Sequence, residues 1–108
     1  MIIEYKGIAV SAFGECCDIA FTRKKILSKS ELLFEIANQC GYLVEIVGYM
    51  IIEKLTEYFD RYEDGEHLHY FKTTARHRFW LLDGQYKHDL EECFGKSDIW
   101  NEWLGGPL

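Results

Sequence analysis

The stretch from residue 42 to residue 61, Tyr42-Leu43-Val44-Glu45-Ile46-Val47-Gly48-Tyr49-Met50-Ile51-Ile52-Glu53-Lys54-Leu55-Thr56-Glu57-Tyr58-Phe59-Asp60-Arg61, decides the fold of this chain. At helical spacing, Leu43, Val47, Met50, Ile51, Leu55, Tyr58 and Phe59 form a wide apolar face, with Glu45, Glu53, Glu57 and Asp60 opposite. Gly48 inside such a helix costs about 1 kcal/mol relative to Ala. The β-branched run Val44-Glu45-Ile46-Val47 suits a strand instead. The pattern predicts a helix over 49–61 and leaves 42–48 open between helix and strand.

Upstream, Ser28-Lys29-Ser30-Glu31 is a capping-box pattern. Leu32, Leu33, Ile36, Ala37 and Cys40 follow at helical spacing, and Gly41 ends the helix. Residues 2–12 and 16–23 read as two strands around a turn at Phe13-Gly14-Glu15. Downstream, Glu63-Asp64-Gly65-Glu66 is a turn, and residues 67–73 and 76–82 read as a hairpin joined through Thr73-Thr74-Ala75. Short helices are expected at 88–94 and 98–104, the second capped by Ser97. The expected architecture is therefore α+β, a single domain over 1–108. An antiparallel sheet, built from the N-terminal hairpin and the 67–82 hairpin, packs against two main helices, with short C-terminal helices added.

The chain has 108 residues, enough for one core without cross-links. Cys16, Cys17, Cys40 and Cys93 show no CxxC spacing, so the expectation is free, partly buried thiols rather than a zinc site. The apolar run Gly48-Tyr49-Met50-Ile51-Ile52 is too short to span a bilayer, and no signal peptide is legible. The expected compartment is the cytoplasm.

Seventeen of the residues are Phe, Trp or Tyr, while the net charge is −6. The acids concentrate in 31–66 and 89–102. That is the pattern of a solvated helix face, or of a surface that steers toward a basic partner. Tyr and Trp combine an apolar body with a polar tip and suit surfaces buried on association.

Three chemistries compete for the function. The first is a small acidic binding protein, not an enzyme, that neutralises a basic protein partner. A toxin-immunity protein, an inhibitor of a nuclease toxin and an inhibitor of a nucleic-acid-guided defence complex are its natural forms. Its candidate partner-binding residues are Glu45, Glu53, Glu57, Tyr58, Asp60, Tyr62, Glu63, Asp64, Trp100 and Trp103. The second is a nucleic-acid-binding module using the rings and cations of 70–80, which include Lys72, Arg76 and Arg78. The third is a small His-based hydrolase or metal enzyme. His67 and His69 would share a strand face, and His77 on the paired strand would be the third ligand. No phosphate-binding loop, GxSxG or other cofactor motif is present in the sequence.

Overall fold

The computed structural model describes residues 1–41, 45–81 and 92. Four strands and one helix make up the described chain: β1 (Ile2–Ser11), β2 (Cys16–Arg23), α1 (Lys29–Cys40), β3 (Ile46–Glu63) and β4 (Glu66–Leu81). The strands form one antiparallel sheet in the order β2-β1-β3-β4.

The expected N-terminal hairpin and first helix are present. Ser28 caps α1, accepting a hydrogen bond from the Glu31 backbone at 3.2 Å and donating its hydroxyl to the Glu31 carboxylate at 3.1 Å. The helix packs one face on the sheet, burying Leu32 and Ile36 against Ile3, Tyr5, Ala9, Ile19, Tyr49 and Ile51. Gly7 lets β1 and β3 meet closely, because a Cβ there would lie 2.2 Å from the Met50 carbonyl oxygen. On the opposite face Ile8, Val10, Val47 and Ile52 form a second buried cluster.

Two expectations about the fold are corrected. The second main helix, over 49–61, is instead the middle of β3, so the described residues form a mostly antiparallel sheet with a single helix. The first half of β3 lies between β1 and β4 and is buried on both faces, so its apolar residues run together instead of alternating. Such a run carries no period that separates strand from helix. The 67–82 hairpin is likewise one continuous strand, β4. Thr73-Thr74-Ala75 offers none of the residues that a tight turn demands, and Thr favours extended backbone. The hairpin turns instead at Asp64-Gly65, where both residues have positive φ (51° and 81°), as a two-residue primed turn requires. The C-terminal helices expected at 88–94 and 98–104 lie outside the described residues, apart from Glu92.

The cysteine expectation is also overturned. Cys17 and Cys40 form a disulfide with Cα atoms 6.1 Å apart, tying β2 to the end of α1. None of the described cysteines is free. No helix among the described residues is long and apolar enough to cross a membrane.

Candidate functional site

β1 pairs with β3 only as far as Thr56. Beyond that point, among the described residues, β3 and β4 continue without a further strand to the Asp64-Gly65 turn, through seven cross-strand pairs from Glu57–Lys72 to Glu63–Glu66. At about 3.4 Å per residue this two-stranded arm reaches some 24 Å beyond the sheet.

The arm is rich in exposed rings. Tyr58 (67% exposed), Phe59 (49%), Tyr62 (75%) and Phe71 (71%) all stand on it, together with Tyr70. Alternation sorts them between two faces. One carries Phe59 opposite Tyr70, stacked at 5.9 Å between centroids. The other carries Tyr58 opposite Phe71 at 6.4 Å, then Asp60 opposite His69, then Tyr62 opposite His67, stacked at 4.7 Å. Cross-strand ring pairs of this kind help hold a two-stranded ribbon together. The arm is also acidic: Glu57, Asp60, Glu63, Asp64 and Glu66 outnumber Arg61 and Lys72.

The structure sorts the sequence-derived binding residues. Glu57, Tyr58, Asp60, Tyr62, Glu63 and Asp64 all lie on the arm and are exposed. Glu45 is exposed just before β3, away from them. Glu53 is fully buried, so it is corrected from a steering residue to a structural one. Trp100 and Trp103 lie outside the described residues. Phe59, Tyr70 and Phe71 also belong to the arm surface; Tyr70 and Phe71 fall in the 70–80 stretch of the nucleic-acid reading, not among the partner-binding candidates. Phe59 had been assigned to the apolar face of a helix, and only strand pairing exposes it.

Glu53 shares one row across the sheet with Tyr5 and Arg76, and Arg78 stands two residues along the same face. The Tyr5 hydroxyl donates to Glu53 Oε1 at 2.5 Å and accepts from the Leu27 backbone N–H at 3.0 Å. Arg76 pairs with Glu53 Oε2. Arg78 reaches Glu53 Oε1 at 3.3 Å and also donates to the Leu27 carbonyl. Burial would raise the Glu53 pKa, but donors from Arg76 and Tyr5 and the two guanidinium charges outweigh it and hold the carboxyl below its usual range. Burial, reinforced by the hydrogen bond to Glu53, pushes the Tyr5 hydroxyl up to about 12.

This network bears on the nucleic-acid reading. Lys72, Arg76 and Arg78 do share a strand face, but Glu53 binds both arginines and Glu57 stands opposite Lys72. The cations are thus matched by carboxylates instead of forming an open basic track.

The enzyme reading is reshaped as well. His77 pairs with Ile52 in the body of the sheet, eight residues along β4 from His69, and does not join the other two histidines. The group that does join them is Asp60, whose Oδ1 lies 2.6 Å from His69 Nδ1 and 3.5 Å from His67 Nε2. Sequence reading passed over this carboxylate as a third partner. Its signal is the hairpin register, because a two-residue turn at Asp64-Gly65 sets Asp60 opposite His69. The three side chains lie on an open ribbon, with side-chain exposures of 58%, 38% and 75% for Asp60, His67 and His69.

Compared with protein-family models, curated proteins and solved structures, the chain matches none.

Proposed function

We propose that this chain is a binding protein whose projecting β3–β4 arm engages a basic protein partner and neutralises it. The observation that carries the reading is the arm itself, a two-stranded ribbon that exposes aromatic side chains beside an excess of carboxylates. Exposed aromatic clusters on a protruding element are costly in water unless a partner covers them. Carboxylates beside them supply long-range attraction and discriminate against acidic surfaces. Tyr58, Phe71, Tyr62, Phe59 and Tyr70 would anchor the complex, with Glu57, Glu63, Asp64 and Glu66 speeding encounter. A nuclease toxin, or the nucleic-acid-binding component of a guided defence complex, fits as the partner because its working surface is cationic.

The test is capture of partners from the native host at low and high salt, followed by reconstitution with the purified partner. A basic protein should be recovered, and its association rate with a Glu57→Lys, Glu63→Lys, Glu66→Lys variant should fall by about tenfold or more at low salt. Tyr58→Ala with Phe71→Ala should chiefly raise the dissociation rate. Recovery of nucleic acid alone, or association indifferent to the charge reversal, would overturn the reading.

A further inference from the structure

We propose that the end of the arm is a binding site for a zinc-class divalent transition ion, with Asp60, His67 and His69 as its ligands. The proposal is independent of the partner reading and rests on the placement and chemistry of these three side chains.

Asp60 and His69 are directly opposed across the two strands, and His67 lies two residues from His69 on the same strand face. One ligand atom from each lies within 4.8 Å of the others. The two imidazole rings are 4.3 Å apart between centroids. A tetrahedral ion bound at about 2.0–2.2 Å separates its ligand atoms by roughly 3.3–3.6 Å. Asp60 Oδ1 and His67 Nε2 are already 3.5 Å apart, while the 2.6 Å hydrogen bond between Asp60 Oδ1 and His69 Nδ1 opens to admit an ion, which rotation of the exposed side chains achieves while the ribbon backbone keeps its register.

Two ring nitrogens and one carboxylate oxygen form a borderline donor set. It suits Zn²⁺, Ni²⁺ or Cu²⁺, whereas Ca²⁺ and Mg²⁺ require shells of oxygen. Three protein ligands leave at least one position open to water or to a side chain of a bound partner. Tyr62 stacks on His67 at an interplanar angle of 11° and restrains that ring. The ligands come from both strands and sit two to four residues from the Asp64-Gly65 turn, so an ion here would clamp the free end of a ribbon that no third strand supports among the described residues.

The test is calorimetric titration of the full chain, free of any polyhistidine tag, with Zn²⁺ alone. Uptake of one ion per chain is expected, undiminished by excess Ca²⁺ and unchanged in His77→Ala. His69→Ala and Asp60→Asn should each weaken uptake by at least about tenfold, since even outer-shell changes reach that size. These side chains are exposed, so both variants should keep the wild-type circular dichroism spectrum. In the wild type, Zn²⁺ should also slow amide hydrogen exchange across residues 58–71. The proposal is overturned if the wild-type chain takes up no Zn²⁺, or if uptake persists undiminished in both His69→Ala and Asp60→Asn.

Discussion

Glu53 shows how far a residue's role depends on its neighbours. In the sequence it is one of several acids in 45–60, alike in character to Glu57. In the fold it is fully buried and neutralised by Arg76 and Arg78, with Tyr5 donating to the same carboxylate. Glu53→Gln should cost about 2–3 kcal/mol in urea denaturation. That is somewhat below the loss for a wholly buried broken pair, because Arg76 remains half exposed to water. The same carboxylate sets an acid limb. Its folded pKa is depressed, so its contribution is fully present above the unfolded Glu value of about 4.3 and is lost as pH falls through the folded value. The stability gap between wild type and Glu53→Gln should therefore hold steady from pH 7 to 5 and narrow below about pH 4. A constant gap down to pH 3 would show that the Glu53 charge is not what the network stabilises.

At the scale of elements, the chain divides into parts whose local signals agreed with the fold and parts whose signals were ambiguous. The Ser28 cap, the apolar stripe of α1 and the alternation of β1 and β2 were legible because each is set by near neighbours in sequence. β3 was not, because its first half is covered on both faces by elements remote in sequence, and burial on both faces erases alternation. The Asp64-Gly65 signal was present, but with a helix assigned before it, its meaning as a hairpin turn was lost. The Cys17–Cys40 bond belongs to this scale too, since it joins α1 to an edge strand. Closing a loop across 23 residues restricts the unfolded chain by about 3 kcal/mol in the entropic account. A Cys17→Ser, Cys40→Ser variant should lower the urea midpoint accordingly without changing the strand content seen by circular dichroism. An unchanged midpoint would show that the bond restrains little.

At the scale of the whole molecule, the described residues form a sheet-and-helix body with a long ribbon projecting from it, and this division implies separable roles. Among the described residues, every buried apolar side chain lies in the body and none comes from 57–72. Replacing residues 58–71 with a two-residue Asn-Gly turn between Glu57 and Lys72 should leave the body folded, with cooperative thermal unfolding retained. Partner capture and Zn²⁺ uptake should both be abolished. Retention of partner capture by the shortened chain would place the interface on the body.

By itself, the sequence determined the acidic balance, the first hairpin, the capped helix and the same-face spacing of His67 and His69. Each follows from composition or from residues within a few positions of one another. Tertiary structure alone decided that 49–61 is a strand, that Glu53 is internal and that Phe59 is exposed. It also decided that Asp60, and not His77, completes the histidine cluster. The physical reason is common to all four: strand pairing joins residues separated by up to 54 positions, as with Ile2 and Thr56. The face a side chain presents is then fixed by register with its neighbouring strands, which no local period in this chain encodes.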